Sequence, residues 1–286
     1  RHDGSSRMPK AHRYATFPSF SGAWIMTNEK FMENVKFLHS LKLRGSWGKL
    51  GNQEIGNYAY AATLAASGSY YFGDSKQIGM KTAKIPNENI KWETTTITDF
   101  GFDAAFWGGK INVAFDWYEK NTSDILMKLA MPGIFLGSLD APYQNAGKVR
   151  NRGWELVLSY RGKIGKDIDY SIGGSLSDAT AEVTEYEGTR TNPKDNWYKG
   201  KKAGEIWGYR ADGLIQTQAE ADEYNNTYDL SFISGKPWTP GDVKYRDLNG
   251  DKKINNGLNT LDDMGDMTVI GNTTPRYQYT INGSIS

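Results

Sequence analysis

The stretch "WETTTITDFGFDAAFWGGKINVAFDWYEK", from Trp92 to Lys120, alternates apolar and polar side chains through two long runs. Successive side chains of a β-strand point to opposite faces of the sheet. In the first run the apolar residues therefore share one face and the acidic residues the other: Trp92, Phe100, Phe102 and Phe106 against Glu93, Asp99 and Asp103. Gly108 and Gly109 between the runs are a two-residue hairpin signal. The stretch predicts two long antiparallel strands joined by a tight turn.

Five more runs with the same alternation lie elsewhere in the chain, which brings the predicted number of strands to about seven. They are "YATFPSFSGAWIM" (14–26), "LKLRGSWGK" (41–49), "WELVLSYRG" (154–162), "IDYSIGGSLSD" (168–178) and "RYQYTINGSIS" (276–286). The first of them is the weakest, because Pro18 lacks the amide hydrogen that a central strand donates.

Strand length and loop length decide between two all-β architectures. A soluble antiparallel sandwich explains the alternation equally well, but its strands are usually shorter than ten residues. The connections here alternate between short (108–109 and 163–167) and long (51–91, 122–153 and 184–275), as in outer-membrane barrels. Aromatic residues near strand ends suit an interfacial girdle, although an aromatic-rich soluble core would also hold them: Trp92, Trp107, Trp117 and Trp154. The pattern favours an antiparallel transmembrane β-barrel, and about seven strands predict an arc of a larger wall.

Composition removes several other classes of protein. Lys plus Arg and Asp plus Glu nearly balance (34 against 33), so no overall charge attracts nucleic acid. Cysteine is absent, which excludes disulfides and thiolate metal sites, and no apolar run is long enough for a transmembrane helix. The three His residues are scattered, and HExxH, GxSxG and phosphate-loop motifs are missing, so we expect no enzyme. The opening "RHDGSSRMPKAHRYATF" has no initiator Met and no signal peptide, and we expect a fragment.

Five phrases in fixed order resemble the SusC/RagA family of TonB-linked outer-membrane transporters of Bacteroidetes. They are "LKLRGSWGKLGNQEIGNYAY", "IPNENIKWETTTITDFGFDAAFWGGKINVAFDWYEKNTSDILMKLAMPG", "NAGKVRNRGWELVLSY", "GEIWGYRADGLIQ" and "PGDVKYRDLNGDKKIN…IGNTTPRYQYTINGS". The resemblance extends from Arg1 to Ser286 and concerns the carboxyl-terminal part of the barrel.

The resemblance implies a plugged barrel of about 22 strands. Residues 1–286 would be part of its barrel domain, without the plug domain and the TonB box, through which the family engages TonB–ExbB–ExbD. The resemblance further implies a SusD-like surface lipoprotein as lid and the import of oligosaccharides, or of peptides in the RagA type. Segment 184–275 would be a long extracellular loop. The alternatives are a passive porin and a soluble glycan-binding β-sandwich.

Two sets of residues are candidates for contact with the solute. The polar faces of the strands predict a row of residues lining the lumen: Glu93, Asp99, Asp103, Asn112 and Asp116. Aromatic residues of the long loops are candidates for stacking on sugar rings, although packing against a partner explains them as well: Tyr70, Tyr71, Trp197, Tyr198, Trp207 and Tyr209.

The segment 247–263 contains an EF-hand-like pattern. Asp247, Asn249 and Asp251 occupy alternate positions, as the first ligands of a Ca²⁺ loop do. The remaining candidate ligands are the Lys253 carbonyl, Asn255, and Asp262 or Asp263. Position 6 is Lys252 in place of Gly, and position 12 is Leu258 in place of an acidic residue, so a metal-free Asx-rich turn is the alternative. We expect any Ca²⁺ to stiffen an extracellular loop. Short helices or turns are predicted near 28–40 and 217–230.

Overall fold

The computed structural model describes residues 1–137 and 139–286, and it is dominated by β-structure. In chain order the strands are β1 (His2–Gly4), β2 (Tyr14–Thr16), β3 (Ser19–Ile25), β4 (Leu38–Asn52), β5 (Thr63–Phe72), β6 (Ser75–Lys84), β7 (Glu93–Phe106), β8 (Ile111–Ser123), β9 (Leu126–Lys128), β10 (Tyr143–Asn145), β11 (Gly147–Ile164), β12 (Ile168–Tyr186), β13 (Glu205–Tyr209), β14 (Ala211–Leu214), β15 (Val243–Tyr245), β16 (Met267–Asn272) and β17 (Tyr277–Ile285). The helices are α1 (Gly133–Leu136) and α2 (Gln218–Thr227), with 3₁₀ turns at Lys10–His12, Met26–Asn28 and Lys30–Met32.

Seven of these strands form one antiparallel sheet in the order β17-β12-β11-β8-β7-β4-β3. They correspond to the seven predicted strands, so the predicted all-β class and the sheet as a partial arc are confirmed. The predicted first strand, 14–26, is divided. Tyr14–Thr16 pairs with β1, whereas Ser19–Ile25 joins the main sheet. Pro18 lies at the break, where its missing amide hydrogen costs no ladder bond.

The short connections join neighbouring strands at one end of the sheet. The β7–β8 and β11–β12 hairpins close through residues 107–110 and 165–167, and the β3–β4 connection contains two 3₁₀ turns. The longer connections, 53–92, 124–146 and 187–276, leave from the opposite end. The predicted helix near 217–230 is α2, whose N-cap Thr217 accepts a hydrogen bond from the Glu220 amide at 3.2 Å. Among the described residues, no helix is long and apolar enough to cross a membrane.

The register gives the main sheet one apolar and one polar face. One row across all seven strands is entirely apolar: Trp24, Leu43, Phe102, Phe115, Leu156, Leu176 and Tyr279. The neighbouring row, one residue along each strand, is largely polar: Ala23, Arg44, Gly101, Asp116, Glu155, Ser177 and Gln278. Many of the apolar side chains are exposed, including Tyr279 at 76%. A sandwich would bury this face, so the soluble alternative is wrong.

The chain divides into two compact units, residues 1–187 with 276–286, and residues 188–275, which we call the lobe. In the first unit, a small core lies among the segments outside the main sheet: Met8, Phe17, Ile55, Ala59, Ile90 and Trp92. The Asn145 side chain connects the segments that contain Lys91 and Asp124. It donates to the carbonyls of Lys91 and Asp124 and accepts from the Lys91 amide, at 2.7–2.9 Å. The lobe has its own core: Ile215, Ala221, Tyr224, Leu230, Trp238 and Ile254.

Candidate functional site

An ion cluster on the polar face connects three neighbouring strands. Arg44 of β4 lies between Asp103 of β7, at 2.9 Å, and Asp116 of β8, at 2.8 Å. Gly101 makes room for this cluster, because a Cβ atom there would lie 2.2 Å from Asp116 Oδ1. Glu155 of β11 stands directly opposite Asp116. The arrangement places the Arg44 guanidinium between two carboxylates, with a third on the next strand.

The five residues predicted to line a lumen do share the polar face. The register places Glu93, Asp99 and Asp103 of β7 on the same side as Asn112 and Asp116 of β8. Two of them have local roles at strand ends. Glu93 accepts hydrogen bonds from the Asn52 side chain and the Leu126 amide, and Asn112 donates to the Gly109 carbonyl. The ion cluster therefore joins only Asp103 and Asp116 of the set, and contact with a solute stays a prediction.

The apolar face contains part of the predicted aromatic girdle. Trp117 and Trp154 are directly opposite each other on adjacent strands, and Trp107 is exposed in the β7–β8 turn. The prediction that Trp92 belongs to this girdle is wrong, since Trp92 is only 8% exposed. It packs edge-on against Phe17 and donates its indole N–H to the Arg13 carbonyl at 3.4 Å. Trp92 precedes β7 by one residue, so the alternation of the strand does not control its direction.

The six loop aromatics are divided between the two units of the chain. Tyr70 and Tyr71 are consecutive residues of β5, so they lie on opposite faces of the β5–β6 hairpin. The other four belong to the lobe. Tyr198 packs edge-on against Trp207 and donates its hydroxyl to Glu205 at 2.5 Å, and burial raises the pKa of Tyr198. Tyr209 contacts the ring of Tyr245. These contacts make Tyr198, Trp207 and Tyr209 part of the lobe's packing, and their role in substrate binding stays a prediction.

A partly buried lysine holds the start of the lobe together. Lys201 Nζ donates to the main-chain carbonyls of Pro193, Lys194 and Asn196 at 2.7–3.0 Å, and it lies 5.7 Å from the centre of the Tyr198 ring. Burial lowers the pKa of Lys201. The ammonium group thus fixes the segment 193–198, which is rich in polar residues and has little apolar surface to bury.

The segment 247–253 folds into successive Asx turns. Asp247 accepts the amides of Gly250 and Lys252, and Asn249 accepts the amide of Asp251. Asp251 in turn accepts the amide of Lys253 at 2.7 Å. Each of these oxygens retains a second lone pair, so the donor chemistry fits Ca²⁺, which prefers carboxylate and carbonyl oxygens.

The later candidate ligands take different positions. Asp262 forms an ion pair with Arg190, and Asp263 accepts the amides of Leu258 and Gly265. The sequence prediction missed Asp266, which is fully buried and accepts the amides of Leu248 and Asn255. Within the described residues, no group of three His, Cys, Asp or Glu side chains is arranged to hold a metal ion. The Asx turns are held by their own main-chain hydrogen bonds, and Ca²⁺ stays a prediction.

Comparison with known proteins adds the family to this geometry. A family model described as "TonB dependent receptor-like, beta-barrel" matches residues 1–285. The chain belongs to this TonB-dependent receptor β-barrel family. The apolar face of the main sheet is accordingly the lipid-facing side of an outer-membrane barrel wall. The predicted outer-membrane location is confirmed.

Individual relatives point to the SusC/RagA type. The chain is 27% identical over 299 residues to TonB-dependent receptor P3 of Formosa agariphila, a match that covers 100% of the chain and 28% of that receptor. It is 29% identical over 261 residues to TonB-dependent receptor SusC of Bacteroides thetaiotaomicron, covering 90% of the chain and 25% of SusC. The predicted SusC/RagA resemblance is confirmed. The chain spans less than a third of the length of either relative.

A solved structure supports the same fold. The RagAB peptide transporter matches with a TM-score of 0.70 and 22% identity, covering 100% of this chain and 29% of that one. At this identity the likeness concerns the fold, which is that of a barrel wall with long loops.

Proposed function

We propose that this chain is part of the wall of a SusC-like transporter that imports oligosaccharides across the outer membrane. The observation that carries the proposal is the pair of neighbouring rows across the sheet, one apolar and one polar. Such a wall touches lipid on one side and water on the other. In the proposed transporter, energy comes from TonB–ExbB–ExbD through a plug and a TonB box, and a SusD-like surface lipoprotein covers the outer mouth. We propose no catalytic step.

The polar face supports transport of a hydrophilic solute. Asp99, Asp116 and Glu155 offer hydrogen-bond acceptors to hydroxyl groups, and Arg44 holds the strands that carry two of the face's carboxylates. Import of peptides is the alternative, since RagAB is described as a peptide transporter. The carboxylates of this face also suit solutes with positive charge, which favours the peptide alternative where the peptides are basic.

The proposal is tested in the native bacterium with the gene for the full-length transporter deleted. We expect loss of growth on one class of oligosaccharide as carbon source, and recovery when the wild-type gene is restored. A TonB deletion should give the same defect, because a passive porin would continue to work without TonB. Loss of growth on peptides with normal growth on oligosaccharides would select the peptide alternative. Normal growth of the TonB deletion strain on every solute that requires this gene would refute the energised mechanism.

We further propose that Asp247, Asn249 and Asp251, with the Lys253 carbonyl, hold Ca²⁺ in the lobe. The free lone pairs of the Asx-turn oxygens support the proposal. Bound Ca²⁺ would stiffen the loop, and no transport step depends on it. Isothermal titration of the full-length transporter with CaCl₂ tests the proposal, and the absence of saturable binding at millimolar CaCl₂ would refute it.

A further inference from the structure

Tyr118 of β8 is an aromatic residue on the polar face of the main sheet. It follows Trp117 of the apolar face and is directly opposite Gly153 of β11. A Cβ atom at Gly153 would lie 2.7 Å from the Tyr118 hydroxyl oxygen and 2.9 Å from Cζ of the ring. Gly153 is buried, whereas Tyr118 is only half-buried. The ring therefore leans across the backbone of β11, where only glycine leaves room for it, and part of it faces the lumen side.

Two carboxylates without partners flank this ring. Asp99 of β7 is directly opposite Tyr118, and Glu155 lies two residues beyond Gly153 on the same face of β11. Unlike the carboxylates of the ion cluster, neither the Asp99 nor the Glu155 side chain forms a hydrogen bond or an ion pair with any residue that the structure describes. The Tyr118 hydroxyl has no hydrogen-bond partner among those residues either. Polar groups on both sides of the ring are thus available to a solute.

The spacing of these groups fits a sugar ring better than a single cation. Strands β7 and β11 both neighbour β8, so at about 4.8 Å per spacing they lie roughly 10 Å apart on either side of Tyr118. A hydrogen bond spans only about 3 Å, so one ammonium group is too small to bond carboxylates on both strands. A pyranose has C–H groups on its face and hydroxyls at opposite edges. Its face can cover the Tyr118 ring while its edges donate to Asp99 and Glu155.

We propose that Tyr118 is a stacking platform for one pyranose ring of the transported oligosaccharide, with Asp99 and Glu155 as acceptors for its hydroxyl groups. This inference rests on the proposed function and assigns the solute a place on the wall. Aromatic surface with a few convergent polar groups is typical of solute-binding sites. The platform contributes affinity for the solute and takes no part in energy coupling.

The test measures uptake by the full-length transporter in its native bacterium. The probe is a hexasaccharide, fluorescently labelled at its reducing end, of the sugar class on which growth requires the gene. Tyr118→Leu removes the platform, and Tyr279→Leu removes a tyrosine from the apolar face as a matched control. We expect Tyr118→Leu to raise the KM for uptake roughly tenfold or more and Tyr279→Leu to change it less than about twofold. Tyr118→Phe keeps the ring and should have a smaller effect than Tyr118→Leu.

Cysteine labelling gives a second readout that does not depend on uptake. In a cysteine-free background, Tyr118→Cys should react with a maleimide in the solute-free transporter, and the unlabelled hexasaccharide should slow the reaction. Gln278→Cys, on the polar face three strands away, should react equally with and without the sugar. A heat-modifiable band on semi-native gels measures how much of each variant barrel is folded.

Several results would overturn the stacking inference and leave the proposed transport function intact. A smaller amount of folded Tyr118→Leu with an unchanged KM would give Tyr118 a structural role only. Failure of Tyr118→Cys to react without solute would indicate contact with another part of the transporter. Protection by hexalysine and not by the hexasaccharide would assign the site to cationic peptides. By contrast, growth that requires the gene on no oligosaccharide would refute the proposed function and this inference together.

Discussion

Leu158 and Val157 allow a direct test of which face of the sheet meets lipid. They are consecutive residues of β11, they point to opposite faces, and their side chains are exposed to almost the same extent, 46% and 47%. Leu158 lies on the apolar face between Trp154 and Tyr160, opposite Val113. Val157 lies on the polar face, opposite Ala114. The perturbation is the same at both positions, namely substitution by Lys in the full-length transporter.

The expected difference follows from the two environments. A Lys on the lipid face of a barrel costs about 2–4 kcal/mol near the middle of the bilayer, and much less near its edge. At about 1.4 kcal/mol for each factor of ten, this cost corresponds to a roughly 30- to 1000-fold loss in the folding equilibrium. Since both side chains are half exposed, neither substitution leaves a cavity, so the cost reports the surroundings. We expect Leu158→Lys to lower the free energy of unfolding by this full amount and Val157→Lys to be almost as stable as the wild type.

The assay is equilibrium unfolding by urea in phospholipid vesicles, with the folded fraction read from heat-modifiable gel bands. The shift in midpoint multiplied by the slope gives the change in free energy of unfolding. Equal stability of the two variants would refute the assignment of the apolar face to lipid. A larger cost for Val157→Lys would reverse the two faces.

Three other changes test separate parts of the structure. Gly101→Ala should lower the free energy of unfolding by about 1–3 kcal/mol and weaken the Arg44–Asp116 ion pair, because the new Cβ would lie 2.2 Å from Asp116 Oδ1. Urea unfolding of the barrel measures this change, and an unchanged midpoint would contradict the prediction. Asp251→Asn should raise the Kd for Ca²⁺ roughly tenfold in isothermal titration, whereas a loop without a metal would show no difference. Burial raises the pKa of Tyr224 to about 12, so the folded lobe keeps this proton where the unfolded lobe loses it. The stability of the lobe should therefore fall as the pH rises from about 10 to about 12, and Tyr224→Phe should make that decline shallower, as measured by lobe unfolding against pH.

The alternation of side chains was enough to predict the main sheet, because a strand with one wet face and one apolar face has a period of two. The strand ends were harder to place. Strand β11 begins at Gly147 and β12 ends at Tyr186, well outside the predicted 154–162 and 168–178. In these extensions the side that is apolar in the predicted strands becomes polar, with Arg150 and Arg152 opposite Glu182 and Thr180. The face pattern that marked the predicted strands is therefore lost before the strands end.

Contacts between distant residues account for what the sequence could not predict at the candidate sites. Arg44 meets carboxylates that are 59 and 72 residues away in the chain. The burial of Asp266 depends on amides 11 and 18 residues before it. Residue types and local spacing gave the correct face for the acidic residues, but only the register of three strands brings Arg44 between them. Distant contacts also explain the burial of Trp92, whose partners come from the first 17 residues.

The two units differ in what stabilises them. The lobe buries Ile215, Ile254 and Trp238 in its own core, and Tyr224 bonds both to the Tyr245 carbonyl and to the Tyr245 amide. The main sheet leaves its apolar rows exposed, and its outer strands, β3 and β17, each have one edge without a partner within the described sheet. Unpaired main-chain amides and carbonyls at such an edge cost several kcal/mol each in lipid. The wall therefore depends on further strands at both edges and on lipid over its apolar face, whereas the lobe buries an apolar core of its own.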